Sequence, residues 1–211
     1  AVFQARVSMF ADICRINVLY MIARAGSGHI GSSFSSLDVV SRIFMEEETL
    51  FKEDGDIYFS SKGHDAPGLY AAMIGVGLLD FDHLHDLRRL GGLPGHPDRA
   101  TPHIIANTGS LGMGVSKAKG IIAADRLRGI RRNIYVMLGD GELQEGQIWE
   151  SLPGAVNSSM GELIILIDHN KIQSDTWVTG VSHLGDIEGK FQAFGWHTQR
   201  VDGHNQESIG K

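Results

Sequence analysis

Cysteine is nearly absent. Cys14 is the only one in 211 residues, so no disulfide closes within the chain, and a reducing compartment suits it, with cytoplasm as the default. Proline is scarce as well, at five residues. No internal repeat and no low-complexity tract is visible, and no secretory signal opens the sequence. Long hydrophobic runs are missing. The longest, such as Leu163 to Ile167, fall far short of the roughly 20 residues that cross a bilayer. No block of Lys or Arg occurs, and the net charge is −6 with a pI near 5.9. That balance argues against nucleic acid as a partner.

What remains is ordinary soluble material with one surplus. Hydrophobic residues make up 42% and charged residues 21%, enough apolar substance for one sizeable core. The length fits one large domain or two small ones, and without a linker a single domain over 1–211 is expected. Glycine is the surplus: 27 residues, about 13% against a background near 7%. Without matching proline or periodicity, that excess points to many tight strand-to-helix turns or to backbone lying close against a ligand.

Apolar spacing of three and four predicts a helix over residues 1–25, through Val7, Phe10, Ala11, Cys14 and Val18, stopped by Gly26. Ser35 or Ser36 would cap a second helix from Leu37 to Glu47. Asp56 to Ser60 reads as a strand, and Asp65 to Val76 and Asp82 to Leu90 as helices. Residues 91–111 have no periodicity and read as a long loop, a length that compact domains reserve for function or disorder. A helix is expected from Gly112 to Arg128. Then strand, helix and strand alternate at Asn133–Leu138, Glu145–Asn157 and Leu163–Ile167. The last run is continuously apolar, which fits a strand buried on both faces of a parallel sheet. Asp186 to Phe194 reads as helix and Trp196 to Val201 as a final strand. Such alternation predicts an α/β fold, a three-layer α/β/α domain with a mostly parallel sheet.

In such sheets ligands bind beyond the carboxyl ends of the strands. Asp140 and Asn170 both fall there. Gly139 and Gly141 permit a tight turn and close approach, Asp140 supplies a carboxylate oxygen, and Asn170 an amide oxygen. Mg²⁺ favours octahedral oxygen coordination with few protein ligands, completed by phosphate oxygens and water. Backbone N–H groups of the glycine turn can hold phosphate oxygens directly. A lone Gly-Asp-Gly is a common turn. The specific feature is the pair, thirty positions apart, an interval that one helix and one strand fill. Three histidines, His29, His64 and His96, each follow a glycine in loop-like sequence. Imidazole titrates near neutrality and can move protons or donate to anionic oxygen. The other seven histidines read as structural or surface residues.

The spacing of Gly139-Asp140-Gly141 and Asn170 resembles the thiamine diphosphate motif shared by transketolases and 2-oxoacid dehydrogenases. Ser27-Gly28-His29 with Gly31, Ser61-Lys62-Gly63-His64, Leu93-Pro94-Gly95-His96-Pro97 and Thr108-Gly109-Ser110-Leu111-Gly112-Met113-Gly114 narrow the resemblance to the transketolase family. Phe194-Gly195-Trp196-His197 and Asp202-Gly203-His204 fit the same pattern. The resemblance runs from about residue 10 to the end. It implies a thiamin diphosphate-binding fold. It implies that Asp140, Asn170 and the Ile172 carbonyl hold Mg²⁺, with Ca²⁺ or Mn²⁺ as substitutes. Gly139 and Gly141 would meet the diphosphate, with His64 near it. Leu111 and Gly112 would flank the pyrimidine ring. His29 and His96 would face the substrate, and Glu145 would join an interface network that supports the cofactor. Lys171 departs from the family's usual glycine or asparagine, and Gln173 to Gly185 departs from its common sequences.

The family also uses a glutamate and sugar-phosphate-binding arginines on a second, pyrimidine-binding domain, to which nothing here corresponds. The expectation is therefore the diphosphate-binding subunit of a split transketolase. It would transfer a two-carbon ketol group from a ketose or ketose phosphate to an aldose. It would be active only with a partner subunit carrying the missing domain, as a heterotetramer with two of each. The alternatives are chemistry like that of 1-deoxyxylulose-5-phosphate synthase or a 2-oxoacid dehydrogenase E1, or a non-catalytic cofactor-binding partner.

Overall fold

The computed structural model describes residues 2–174 and 176–211. Ala1, at the start of the expected first helix, and Asp175, inside the segment departing from the family pattern, lie outside the described residues. The helices and strands follow in chain order as α1 (Val2–Ala25), α2 (Ile30–Glu46), β1 (Ile57–Ser60), α3 (Ala66–Gly75), α4 (Gly114–Leu127), β2 (Ile134–Gly139), α5 (Gly146–Asn157), β3 (Leu163–Asp168), β4 (Ile172–Gln173), β5 (Thr176–Trp177), α6 (Val178–Val181), α7 (Ile187–Ala193) and α8 (Gln206–Ile209). Short 3-10 turns span Phe81–His85 and Gly141–Gln144. These elements fall into two compact units. One comprises the chain up to Leu50 with Gly63–Gly109 and Val201–Lys211. The other comprises Phe51–Lys62 and Ser110–Arg200. Neither is a contiguous stretch of sequence.

In the first unit, α1 buries Val7, Ala11, Cys14, Val18 and Met21, the stripe read from the sequence except that Phe10 is only half-buried. α1 packs on α2 and α3. The second helix starts at Ile30, not at Leu37 as expected. The serines taken for caps lie inside it. Their hydroxyls donate backwards along the helix, both to the Ser32 carbonyl, Ser35 at 3.2 Å and Ser36 at 3.1 Å. This back-bonding removes the competition that normally expels serine from helix interiors. The helix expected over Asp82–Leu90 is instead the short 3-10 turn. Asp80 caps it by accepting from the Asp82 N–H at 2.9 Å. Arg88 then turns left-handed (φ 57°), and its N–H donates to the Leu93 carbonyl at 2.7 Å. The loop from Gly91 onward has no helix or strand until α4, as its sequence suggested. The C-terminal stretch is pinned by Asp38, which is buried on α2. Its carboxylate takes Arg15 and lies 2.8 Å from His204 Nδ1. His204 is thus structural.

In the second unit, β1, β2 and β3 form a parallel sheet in that order. The register pairs Ile57 with Ile134, Ile134 with Leu163, and Gly139 with Asp168. β2, in the middle, is buried at every position. Its Val136 and Leu138 join Val115, Ala118 and Ile122 of α4 and Ile148, Leu152 and Ala155 of α5 in one core. The alternation of strands and helices matches the α/β expectation. β3 does not match its expected burial on both faces. Only Leu163 is fully buried; β3 is an edge of the sheet and, unlike the opposite edge β1, is left partly open. The strand expected at Trp196–Val201 does not form among the described residues. Gly195 (φ 88°) ends α7, and the Trp196 N–H donates to the Phe191 carbonyl at 3.1 Å. The indole stands edge-on to Phe191 at 6.2 Å and donates to the Leu152 carbonyl. These anchors hold the segment away from a ladder with β3 and leave a groove of about 580 Å³ lined by Ile165, Ile167, Phe191 and Trp196. A small antiparallel hairpin, β4–β5, follows β3; the sequence had offered no sign of it. No helix among the described residues is long and apolar enough to cross a membrane.

Candidate functional site

The expected site residues divide between the units. Those implied for metal and diphosphate lie in the second. β2 and β3 are parallel neighbours that end together, Gly139 opposite Asp168. Asp140 therefore leaves one strand end and Asn170 its neighbour, as the spacing anticipated. The two ends are tied. The Asp140 N–H donates to the Asp168 carbonyl at 3.1 Å, and the Lys171 N–H donates to Asp140 Oδ2 at 2.6 Å. The Gly141 N–H donates to Asp140 Oδ1 at 2.8 Å. Lys171 takes a left-handed conformation (φ 70°), which aims its N–H at the carboxylate. Asn170 Oδ1 accepts from the Ile172 N–H at 2.9 Å, while its Nδ2 donates to Asp168 Oδ2 at 3.1 Å. Asp168 thereby fixes which way the Asn170 amide faces.

Asp140 is 1% exposed. Burial pushes its carboxyl above the usual range, against the lowering pull of the Lys171 and Gly141 N–H groups and His169, with Asp168 adding to the rise. A buried carboxylate of this kind gains from a bound cation. Past the neighbouring strand end, the Asn170 amide supplies a hard neutral oxygen. No group of three or more His, Cys, Asp or Glu is placed to hold a metal ion among the described residues. One carboxylate with a neutral oxygen fits Mg²⁺, which keeps positions for phosphate oxygens and water. Gly141 is tightly placed: a Cβ there would stand 2.5 Å from Gln173 Oε1 and 2.9 Å from Gln173 Cβ, so any side chain would displace Gln173.

Two further features of this unit escaped the sequence reading. The first is a buried ion pair: Lys62 Nζ lies 2.9 Å from Asp168 Oδ2, with side-chain exposures of 1% and 8%. The second is Glu142, 2% exposed. Its Oε1 accepts from Ser61 Oγ and from the Gly112 N–H at 2.8 Å, and its Oε2 from the Gly139 N–H at 3.3 Å. The signal was present in both cases. A lysine just past a strand end and a glutamate inside a glycine turn are placed where burial demands partners. Gly112 is buried and Leu111 is 38% exposed. Gly112 has φ 85°, and a Cβ on it would meet Glu145 Cβ at 2.9 Å. Glu145 is exposed.

His29, His64 and His96 lie in the first unit. His29 precedes α2, and its ring stands edge-on to His64 with centroids 5.1 Å apart. His96 follows Gly95, and its carbonyl accepts from Tyr70 Oη at 3.4 Å. Partial desolvation first, and then the charges of Arg88 and His29, hold the His96 imidazole below its ordinary value, with Asp65 opposing. A histidine kept neutral near pH 7 is available as a proton acceptor. Arg88, which donates to Ser27 Oγ at 2.8 Å, is part of this cluster and was not foreseen.

Residues 7–211 match the family described as transketolase, thiamine diphosphate binding domain. The chain is 38% identical over 209 residues to the 6-deoxy-6-sulfo-D-fructose transketolase subunit SqwG of Clostridium sp. (strain MSTE9), covering 94% of this chain and 75% of that protein. It is 33% identical over 202 residues to an apulose-4-phosphate transketolase subunit of Actinobacillus succinogenes, covering 92% and 73%. Human transketolase is 34% identical over 210 residues, but the match spans only 33% of its length. The crystal structure of transketolase from Campylobacter jejuni superposes with a TM-score of 0.88 at 28% identity, covering 96% of this chain and 34% of that one.

Proposed function

The chain belongs to the transketolase family, as its thiamine diphosphate binding domain, and from that premise we propose that it is the diphosphate-binding subunit of a two-subunit transketolase. It moves a two-carbon ketol group from a ketose or ketose phosphate to an aldose, together with a subunit that carries the pyrimidine-binding domain. The observation that carries this reading is the tie between neighbouring parallel strand ends, through the Lys171 N–H to Asp140 Oδ2 bond at 2.6 Å.

Asp140, Asn170 and the Ile172 carbonyl would hold Mg²⁺, and the Gly139–Gly141 turn the diphosphate. Thiamine diphosphate, when bound, supplies the stabilisation of a carbanion that no amino-acid side chain offers. The protein's part is binding, orientation and proton handling. His29 and His96 would face the substrate, His96 as proton acceptor because its imidazole is held neutral, and His64 would stand near the diphosphate. Glu145, exposed on this chain, is open to a contact from the partner. The relatives from Clostridium and Actinobacillus, each named as a transketolase subunit, support a partner; an assembly with two of each subunit is the simplest symmetric form.

Calorimetric titration with thiamine diphosphate and Mg²⁺ tests the site. Asp140→Ala should weaken binding by at least the roughly 10–100-fold that loss of an outer-shell partner costs a metal site. Equal binding by wild type and variant refutes the metal site. Ketol transfer by rigorously purified chain alone refutes the need for a partner.

A further inference from the structure

Glu142 gathers two parts of the proposed site onto one carboxylate. Gly139 ends β2 and opens the diphosphate turn. Gly112 belongs to the segment proposed to flank the cofactor ring. Both donate backbone N–H groups to Glu142, Gly112 to Oε1 at 2.8 Å and Gly139 to Oε2 at 3.3 Å. Ser61 extends the connection. Its hydroxyl donates to Oε1 and accepts from the Gly114 N–H at 3.0 Å, the first residue of α4. Glu142 and Ser61 are 2% and 1% exposed, so water does not substitute for these bonds. Glu142 lies in the 3-10 turn just after Asp140, so the carboxylate moves with the turn that carries the proposed metal ligand.

We propose that Glu142 is a positioning residue that sets the ring-flanking segment at Gly112 in register with the diphosphate turn at Gly139. The role rests on the cofactor reading above. Gly112 cannot hold its place by side-chain packing, having none. Its left-handed backbone (φ 85°) is instead held through its N–H. Ser61 carries the same constraint one step further, to the N-terminus of α4.

The test separates the two ends of the cofactor. Thiamine diphosphate engages both the turn and the ring-flanking segment, whereas inorganic diphosphate engages only the turn. Binding of each, with Mg²⁺, is measured for wild type, Glu142→Gln and Ser61→Ala, alongside amide hydrogen exchange at Gly112 and Gly114 in the unliganded chain. Glu142→Gln keeps the size but turns an amide donor towards one of the backbone donors. It should cut the affinity for thiamine diphosphate relative to diphosphate by about tenfold, the upper end of what a typical hydrogen bond contributes. Exchange at Gly112 should quicken by a similar factor, with α5 amides unchanged. Ser61→Ala, the milder change, should quicken Gly114 and spare Gly112. Equal weakening of both ligands, or unchanged exchange at Gly112 in Glu142→Gln and at Gly114 in Ser61→Ala, overturns the role. If the glutamine variant does not fold, Glu142→Asp, which keeps the carboxyl and shortens its reach to Gly112, is read by the same criteria. Wild type that binds neither ligand at millimolar concentration refutes the cofactor reading itself, and this role with it. Wild type that binds both, with a ratio unmoved by the variants, refutes the role alone.

Discussion

Replacing Lys62 by Met removes a charge and almost no volume. The lysine stem runs past Gly139, whose missing Cβ would lie 3.2 Å from Lys62 Cδ, and methionine fills that path. What is lost is the cation 2.9 Å from Asp168 Oδ2, in a pair with exposures of 1% and 8%. At the surface such a pair is worth little. Here the remaining carboxylate stays buried without its cation, a situation that costs about 3–5 kcal/mol. At roughly 2–4 °C per kcal/mol for a chain of this size, the unfolding midpoint should fall by roughly 6–20 °C. The double variant Lys62→Met with Asp168→Asn should recover more than half of the loss, because no orphan charge remains. Urea or thermal melts of the four proteins form a double-mutant cycle, with coupling expected well above the roughly 0.5 kcal/mol of independent sites. A Lys62→Met loss under about 1 kcal/mol, within the scatter of ordinary surface substitutions, or a double variant as unstable as the two singles combined, would refute the reasoning. The consequence reaches the site. Asp168 also accepts from Asn170 Nδ2, so a disturbed Asp168 should loosen the Asn170 amide and weaken Mg²⁺ binding.

His96 offers a pH test. Its folded-state value lies below the ordinary one, so between the two the unfolded chain binds the proton and the folded chain does not. Stability should therefore fall as pH drops through that window, and His96→Gln should flatten the fall, read from denaturant melts between about pH 7 and 5. An unchanged slope would contradict the shift, and added salt should shrink it because Arg88 contributes through charge. Cys14 tests burial: its thiol is 0% exposed and pushed up to about 12, first by desolvation. A thiol reagent at pH 8 should label it only at the rate of unfolding, whereas rapid labelling of native chain would contradict the packing of α1.

Most helices and the parallel strands were legible because their signals are local. The 3-4 spacing in α1 and the apolar runs ending at Gly139 and Asp168 need no knowledge of neighbours. The misses share one cause. Ser35 and Ser36 have the composition of caps, yet sit inside the helix, both bonded back to the Ser32 carbonyl. Trp196–Val201 has strand composition, yet Trp196 is committed to Phe191 and Leu152. β3 reads as doubly buried, yet it is an edge. In each case the decision lay with a partner that spacing does not reveal.

The candidate site divides in the same way. By itself the sequence determined that a glycine-flanked carboxylate and an asparagine would end two consecutive strands, since one helix and one strand occupy the interval between Asp140 and Asn170. It set His29, His64 and His96 each behind a glycine. Only the tertiary structure decided that those strands are neighbours, that Lys171 turns its N–H onto Asp140, and that Lys62, Asp168 and Glu142 are buried together with their partners. Local spacing is a property of the covalent chain. The burial of a charge, and the donors that make it tolerable, depend on which distant segments fold beside it.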